Sequence, residues 1–327
     1  MMKRTMVLRG IDFGPVLDAS GTRGFFGEGY PYHEIFSHVG LDFAGSTFVA
    51  KTMTLEPRTG NMRGLRADGT MPWLAFRQSC IVVRPLKGVA LNAVGLSNPG
   101  AEALFSQKLW QNRTDPFFLS FMSAKETMRE RIEELKKFIN LFCISLRGFS
   151  RGVGLQLNYS CPNAGVHHDD LVAEVRKGLS IASSLRIPLM PKFNVLFPIE
   201  AAAEISKDPA CDALCVSNTI PWGQLHARID WRDLFGASHS PLARFGGGGL
   251  SGAPLLPLTA EWVRNARAQG ITKPINAGGG ILRPRDVVTL AETGASSVFI
   301  GSVAMLRPWR VHRIIKKAHK VFTMGAQ

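Results

Sequence analysis

The stretch GLQLNYSCPN, from Gly154 to Asn163, predicts a strand that ends in a polar loop. Leucine and tyrosine alternate with glutamine, asparagine and serine, and Pro162 then stops the pairing because it has no N–H to donate. Cys161 therefore follows the strand end among hydrogen-bonding side chains, which suits a reactive loop. The same residues also suit an ordinary turn, because Asn and Pro are common turn formers and most cysteines are simply packed.

Short apolar runs alternate with longer helical patterns along most of the chain, which is the signature of repeated βα units around a parallel sheet. Eight such runs are predicted strands, near residues 15–20, 45–52, 116–122, 153–160, 187–193, 212–218, 273–279 and 296–302. Eight is the number that closes a barrel. Without an internal repeat or a low-complexity linker, we expect one domain spanning 1–327, an α/β fold of the (β/α)8 TIM-barrel class with long loop insertions at its C-terminal mouth.

Helices are predicted between the strands, at 33–39, 124–141, 169–185, 198–207, 259–269 and 284–292, and in the tail. Ser123 and Asp169 are the predicted N-caps, with Glu126 completing a capping box with Ser123. The connections 53–115 and 220–255 are longer than ordinary βα loops, and the first carries a predicted short helix near 101–111. Long ordered loops usually carry function.

The formal net charge of +14 would concentrate anions around the protein without naming the anion. Only the tail from Arg307 to Lys320 concentrates basic residues, and they recur at helical spacing beside apolar ones. This pattern favours a solvated outer face of a terminal helix over a nucleic-acid or membrane surface, so no nucleic-acid partner is expected.

Five cysteines without a tight framework fit a reducing compartment. Cys211 and Cys215 lie four residues apart without a second pair or histidines to complete a metal site, so we expect packing residues and no metal. No run of about 18 apolar residues occurs, and the N-terminus lacks the apolar core of a secretory signal. These features predict a cytoplasmic protein.

In a barrel the carboxyl ends of all strands face one mouth, and here the predicted strand ends are polar or small. Lys51 and Lys192 both end apolar strands, which favours a shared anionic ligand, although each could also reach solvent along its own stem. The glycine turns at 277–280 and 300–302 follow strands seven and eight, where barrels commonly bind phosphate through backbone N–H groups. The strand-end set is Ala19, Ser20, Gly21, Lys51, Thr52, Asn158, Lys192, Ser217, Asn218, Thr219, Gly279, Gly280, Gly301 and Ser302.

Several of these stretches together resemble the dihydroorotate dehydrogenases, which are FMN-dependent (β/α)8-barrel enzymes of pyrimidine biosynthesis. The resemblance runs from Ala19 to about Leu306 and is carried by the joint order and spacing of its pieces. They are NYSCPN (158–163), ASG (19–21), KTMT (51–54), NAVGLSN (92–98), PKF (191–193), SNT (217–219), GGLSG (248–252), and GGGI (278–281) followed by FIGS (299–302).

The resemblance implies oxidation of dihydroorotate to orotate, in which Cys161 removes a proton from C5 while a hydride leaves C6 for flavin N5, with Lys51 also in the reacting site. The cytosolic branch of the family uses cysteine as the base, and the membrane-bound branch uses serine. Implied substrate contacts come from Lys51, Asn92, Gly95, Leu96, Asn158, Asn163, Asn218 and Thr219. Implied flavin contacts come from Ala19, Gly21, Lys51, Thr52, Asn158, Lys192, Gly252, Gly279, Gly280, Gly301 and Ser302.

The residue chemistry is compatible with these roles. A free thiol, with a pKa of about 8.5, is only slightly ionised at neutral pH, so positive potential from the mouth lysines would help to form the Cys161 thiolate. Asparagine offers both a donor and an acceptor, which suits the alternating amide groups of the orotate ring. Lys51 and Lys192 would stabilise negative charge on reduced flavin.

The sequence also departs from the family pattern. Ser97 stands where the family usually has proline, Val94 where it commonly has methionine, INAGGG replaces an IGVGG-like run, and the connection 220–255 has no detailed match. A related FMN-dependent dihydropyrimidine or cyclic-amide oxidoreductase is therefore the alternative, and a basic barrel that binds anions or nucleic acid without redox chemistry is a different class. The resemblance allows fumarate, a quinone or an electron-transfer subunit as electron acceptor and suggests a homodimer.

Overall fold

The computed structural model describes residues 6–72, 78–150, 152–159 and 168–323. The strands within these ranges are β1 (Val7–Leu8), β2 (Ile11–Asp12), β3 (Val16–Asp18), β4 (Ile81–Arg84), β5 (Val89–Asn92), β6 (Phe117–Phe121), β7 (Val153–Asn158), β8 (Leu189–Phe193), β9 (Leu214–Val216), β10 (Ile220–Pro221), β11 (Gly249–Gly252), β12 (Ile275–Gly278) and β13 (Ser297–Ile300). The helices are α1 (Pro31–Ser37), α2 (Ala101–Ser106), α3 (Met128–Leu146), α4 (His168–Ala182), α5 (Ile199–Ser206), α6 (Trp231–Phe235), α7 (Leu255–Ala268), α8 (Pro284–Glu292), α9 (Val303–Leu306) and α10 (Val311–Thr323). None of these described helices has the length and apolar character needed to cross a membrane.

A parallel sheet of seven strands forms most of the barrel wall, in the order β3-β13-β12-β9-β8-β7-β6. Residues 45–53, the closing segment, join its two edges through backbone hydrogen bonds. On one side the Asp18 N–H donates to the Thr47 carbonyl (2.8 Å), and on the other the Ala50 N–H donates to the Phe118 carbonyl (2.9 Å). Isolated parallel bridges mark the same contacts. The predicted (β/α)8 barrel is confirmed.

The prediction of a regular strand at 45–52 is wrong, because the closing segment is irregular. The N–H of Lys51 turns away from both neighbouring strands and donates to the Gly24 carbonyl (2.9 Å). The ladder is therefore interrupted where this lysine reaches the mouth. The other seven predicted strands correspond to β3, β6, β7, β8, β9, β12 and β13, each shorter than the apolar run that predicted it.

The interior of the barrel is apolar at its amino-terminal end and polar towards its mouth. Leu17, Phe118 and Met190 pack inside the wall together with Met6, which precedes the β1–β2 hairpin. Closer to the mouth, buried polar side chains such as Gln156 take over. Because buried polar groups are costly unless they are hydrogen-bonded, this layer needs a specific explanation.

Two of the predicted helix starts are wrong. Helix α3 has Thr127 as its N-cap, since its hydroxyl accepts from the Glu130 N–H (3.2 Å) and the Glu130 carboxylate accepts from the Thr127 N–H (3.1 Å). Ser123 lies in front of the helix and donates to the buried Glu134 carboxylate instead. Both pairs fit the same capping-box pattern, so the pattern alone does not choose between them. Asp169, the other predicted cap, lies inside α4.

A second, antiparallel sheet with the order β10-β11-β5-β4 lies across the mouth, and the sequence did not predict it. It joins the two long connections, because Asn92 of β5 pairs with Gly249 of β11 and Val89 pairs with Gly252. The glycine run at 246–249, a composition typical of flexible loops, thus leads into a strand. The predicted helix near 101–111 is shorter, and ends at Ser106 as α2.

The tail forms α10 as predicted. Val311, Ile314 and Phe322 are buried against the barrel, while Arg313 and Lys316 are exposed. The basic residues of this helix therefore belong to its solvated outer face. The helices predicted at 33–39, 198–207, 259–269 and 284–292 correspond to α1, α5, α7 and α8, the last with identical bounds.

Candidate active site

A cavity of about 990 Å³ opens between the carboxyl ends of the barrel strands and the mouth sheet. All the residues of the strand-end set line it, and so do Asn92, Gly95 and Leu96. Gly252 does not line it, although its neighbour Ser251 does. Apart from Gly252, every implied contact residue within the described ranges therefore lies on one continuous surface.

Lys51 is buried in the cavity wall. Its Nζ donates to the Ser97 carbonyl and lies 4.9 Å from the centroid of the Phe25 ring. Burial lowers the pKa of Lys51 from 10.5 to about 8, although Cys80 and Glu28 partly oppose the shift. An ammonium group with a pKa so close to neutrality can respond to the charge of a ligand.

Lys192 is also buried, and its Nζ lies 4.8 Å from the centroid of the Phe299 ring. Among the described residues it makes no hydrogen bond or ion pair through Nζ. Burial lowers the pKa of this lysine. A buried ammonium without a protein anion is stabilised when a ligand supplies negative charge, so Lys192 marks one side of a binding site.

A network of neutral polar side chains connects the floor of the cavity. Asn158 Oδ1 accepts from Asn218 Nδ2 (2.6 Å), and Asn158 Nδ2 donates to Thr52 Oγ1 (3.3 Å). The Thr52 hydroxyl also bonds to the hydroxyls of Ser20 (2.7 Å) and Ser120 (2.9 Å). These bonds fix the two amides and, within the part of the chain that the structure describes, leave Asn218 Oδ1 and an N–H of each amide for a ligand.

The opposite wall comes from the segment after β5 and from the mouth sheet. Gly95 and Leu96 have φ of +69° and +58°, and this left-handed pair leads to the Ser97 carbonyl that binds Lys51. Asn92 Nδ2 donates to the Gly249 carbonyl (3.4 Å), which ties β5 to β11. Thr219 packs close to the same glycine, where a Cβ would lie 2.2 Å from its hydroxyl.

The glycine turns present bare backbone to the cavity. Gly280 has φ of +83°, and a Cβ there would lie 2.5 Å from the Leu256 nitrogen and 2.8 Å from the Gly252 carbonyl oxygen. At Gly301 a Cβ would lie 2.7 Å from that of Ala19. Gly252 thus supports the turn of Gly280 from behind, which is why it does not reach the cavity surface.

Cys161 and Asn163, the predicted base and one predicted substrate contact, lie outside the described residues. The chain enters this stretch from the cavity rim, since Asn158 lines the cavity and the following Tyr159 N–H donates to the Lys192 carbonyl (2.9 Å). The other two cysteines that the sequence singles out, Cys211 and Cys215, are buried in the core, as predicted.

Several cavity residues have no counterpart in the sequence prediction. The rings of Tyr30 and Tyr32 are stacked at 5.9 Å between centroids where α1 begins, and Arg84 reaches the cavity from the mouth sheet. Asn194 also lines the cavity. It stands two residues after the inward-facing Lys192, and the two-residue period of a strand is a signal that could have found it.

The residues of this cavity fit FMN. Bare glycine backbone suits a phosphate. Lys192, buried and without a hydrogen bond from Nζ among the described residues, suits an anionic edge of the ring system, and fixed amides suit its carbonyl and N–H groups.

The chain matches the family model described as dihydroorotate dehydrogenase over residues 5–322. It is 31% identical over 306 residues to "Dihydroorotate dehydrogenase B (NAD(+)), catalytic subunit" of Endomicrobium trichonymphae, covering 92% of this chain and 86% of that one. It is 31% identical over 314 residues to "Dihydroorotate dehydrogenase A (fumarate)" of Lactobacillus delbrueckii subsp. bulgaricus, covering 92% and 88%.

The fold has a similar solved counterpart in the dihydroorotate dehydrogenase of Eimeria tenella in complex with ferulenol, with a TM-score of 0.67 and 18% identity over 100% of this chain and 87% of that one. At that identity the likeness concerns the fold. The family model and the curated relatives carry the assignment, and they confirm the predicted resemblance. The chain belongs to the dihydroorotate dehydrogenase family.

Proposed function

We propose that this chain oxidises dihydroorotate to orotate with FMN as cofactor, and that the mouth cavity is the active site. The observation that carries the proposal is the pair of buried lysines on one cavity, Lys51 and Lys192, of which Lys192 makes no hydrogen bond or ion pair through Nζ among the described residues. Two buried lysines in one cavity are stabilised in their charged form when anions bind there, and both the cofactor and the substrate are anions. Membership of the family supports the choice of these two.

Lys51 would bind the substrate and stabilise the charge that develops next to it. It lies between the Ser97 carbonyl and the floor of the cavity, and its lowered pKa means that a bound anion would restore its full charge. Asn158 and Asn218 already orient each other, so their free amide groups would read the alternating carbonyl and N–H groups of the ring. Asn92, Thr219 and the segment at Gly95 would close the opposite side.

FMN would supply the hydride acceptor. This chain would hold it through Lys192, Thr52 and Asn158 on the floor, and through the bare backbone at Gly279, Gly280, Gly301 and Ser302, with Ala19 and Gly21 on the same rim. Lys192 would keep positive charge at the side where reduction adds negative charge. Gly252 would act indirectly, because its carbonyl lies behind the turn at Gly280 and its missing side chain lets the backbone of Gly88 and Val89 pack against it.

Cys161 would be the general base that removes the proton from the substrate. Cys161 follows Asn158 closely in the sequence, and Asn158 lines the rim of the cavity. A thiol with an ordinary pKa of about 8.5 is mostly protonated at neutral pH, so the positive charge of the mouth would increase the thiolate fraction. The expected rate should therefore rise with pH as this thiol ionises.

The test is anaerobic reduction of the bound flavin by dihydroorotate in Cys161→Ala, with Cys143→Ala as the matched control because Cys143 is exposed on α3. We expect the Cys161 variant to keep its flavin and to be reduced orders of magnitude more slowly, since general-base catalysis contributes roughly 10²–10⁴-fold. The control should behave as the native protein. Unchanged reduction in the Cys161 variant would remove this residue from the mechanism.

A second measurement addresses the substrate. Val94 and Ser97 depart from the family pattern, and both lie where the wall meets Lys51. Anaerobic titration of the bound flavin with dihydroorotate, and separately with dihydrouracil, which lacks the carboxylate, distinguishes a dihydroorotate dehydrogenase from an enzyme of other dihydropyrimidines. Reduction by dihydroorotate alone is expected, and preferential reduction by dihydrouracil would favour the dihydropyrimidine alternative. Reoxidation by fumarate, NAD⁺ and a soluble quinone would then identify the acceptor.

A further inference from the structure

Four buried side chains form one hydrogen-bonded chain across the barrel interior, one layer below the cavity. Gln156 Nε2 donates to Cys215 Sγ (3.7 Å), Cys215 Sγ donates to Asn276 Oδ1 (3.5 Å), and Asn276 Nδ2 donates to Ser297 Oγ (2.7 Å). We call it the interior relay. Barrel interiors are usually filled by bulky branched apolar residues, and four polar groups in their place are costly.

The interior relay has an open acceptor at one end. Gln156 is 2% exposed, and its Oε1 has no hydrogen-bond partner among the described residues. The directions of the bonds are consistent, because the Gln156 amide donates its N–H to sulfur while the thiol donates its proton to Asn276. Burial raises the pKa of the Cys215 thiol to about 12, so the thiol keeps the proton that this chain requires. The side-chain carbonyl of Gln156 is therefore left as a free acceptor among the described residues.

The open acceptor lies in the neighbourhood of Lys192, whose Nζ makes no hydrogen bond to the described residues. In the sheet, Lys192 on β8 is paired with Asn158 on one side and with Cys215 on the other, and Gln156 stands two residues before Asn158 on the same face. A strand separation of about 4.8 Å and a rise of about 3.3 Å per residue put the Cα atoms of Gln156 and Lys192 roughly 8 Å apart, within reach of two long side chains. The Gln156–Cys215 bond therefore crosses β8 beside the lysine.

We propose that Gln156 is a positioning residue for Lys192: the interior relay holds its side-chain oxygen free on the side of the lysine, where the carbonyl dipole stabilises the ammonium at the bottom of the cavity. A neutral acceptor suits this task, because it stabilises the ammonium without cancelling the charge that an anionic ligand needs. Asn158 and Phe299, which also adjoin Lys192, carry no charge, and Cys215 is the titratable group that acts on its pKa. The consequence for flavin rests on the proposed function, whereas the proposed electrostatic effect of Gln156 on Lys192 does not.

The first experiment follows the ionisation of Lys192 in the purified full chain by NMR of ¹³C-labelled lysine side chains, with the signal assigned by its loss in Lys192→Met. Gln156→Leu should lower the pKa of Lys192 further, because the ammonium loses the favourable dipole of the nearby carbonyl. Gln156→Glu should raise it, because a carboxylate replaces a neutral oxygen. Cys215→Ala, which frees the amide to turn, should lower it by less than Gln156→Leu. Cys211→Ala is the matched control, since Cys211 is an equally buried thiol outside the relay, and it should leave the titration unchanged.

The second experiment measures the reduction potential of the bound flavin in the same variants. A weaker positive charge should make the flavin harder to reduce, so Gln156→Leu should lower the potential and slow reduction by dihydroorotate by roughly tenfold, the size of one polar interaction with a charged group.

Titrations of Lys192 that do not differ among native protein, Gln156→Leu, Gln156→Glu and Cys211→Ala would overturn the proposal. If Gln156→Leu does not fold, Gln156→Glu and Cys215→Ala decide the question with opposite expected shifts. Shifted titrations in a protein that binds no flavin would support the effect of Gln156 on Lys192 while the proposed function fails.

Discussion

Replacing Lys51 by methionine should stabilise the flavin-free protein, because the native chain holds an ammonium group where burial disfavours it. The pKa of this lysine is about 8 in the folded protein and 10.5 ordinarily, so above pH 8 the unfolded chain binds more protons than the folded one. Stability therefore rises with pH across this window. Proton linkage between these two pKa values predicts that the contribution of Lys51 to the free energy of unfolding increases by about 2 kcal/mol between pH 8 and pH 10.

The assay is urea unfolding of flavin-free native protein and of Lys51→Met at pH 8, 9 and 10, with tryptophan fluorescence as the signal. Groups common to both proteins, including the buried tyrosines whose raised pKa values act in the opposite direction above pH 10, cancel in the difference between them. Methionine keeps the buried stem, so the variant should be more stable by about 3 kcal/mol at pH 8, and this advantage should shrink by about 2 kcal/mol at pH 10. A difference that does not change with pH would refute the argument that Lys51 is held with a depressed pKa.

Three further predictions concern other parts of the molecule. Burial and the nearby Arg23 lower the pKa of His33 from 6.5 to about 4. The free energy of unfolding of the native protein should therefore fall by about 2 kcal/mol between pH 7 and pH 5. Urea unfolding of His33→Phe should show no such loss. Gly280→Ala should destabilise the protein by about 2–5 kcal/mol, because the new side chain adds left-handed strain and overpacking, and it should weaken flavin retention. The control is Gly270→Ala, which has a similar φ but nothing within 4 Å of the new Cβ. It should cost only about 1–2 kcal/mol and keep the flavin. Equal losses in the two glycine variants would show that close packing at Gly280 is unimportant. Thr127→Ala should cost about 1 kcal/mol by removing the cap of α3, and thermal unfolding that matches the native protein would contradict the capping geometry.

The barrel could be predicted from sequence because its strands are local, apolar and regularly spaced. The closing segment was predicted wrongly, since its residue types alternate as in a strand. Its pairing is interrupted because the Lys51 N–H donates to the Gly24 carbonyl, a contact that only the tertiary structure creates. The cap of α3 was misplaced for a different reason, because Ser123 and Thr127 both start a capping-box pattern and only the buried partner of Ser123 decides between them.

The mouth sheet was missed because its strands are short, because β11 is rich in glycine, and because β5 and β11 are about 160 residues apart in the sequence. The rim of the candidate site was easier to predict, since the ends of parallel strands must converge. Arg84 and the interior relay were not found, because the first depends on the unpredicted sheet and the second on a bond between Gln156 and Cys215 that crosses an intervening strand.

The most direct test of the central claim is to load the purified protein with FMN and to add dihydroorotate in the absence of oxygen while the visible absorption of the flavin is recorded. We expect one FMN per chain, bleached by one equivalent of dihydroorotate with formation of one equivalent of orotate. A protein that retains no FMN, or whose bound FMN keeps its colour in excess dihydroorotate, would contradict the account.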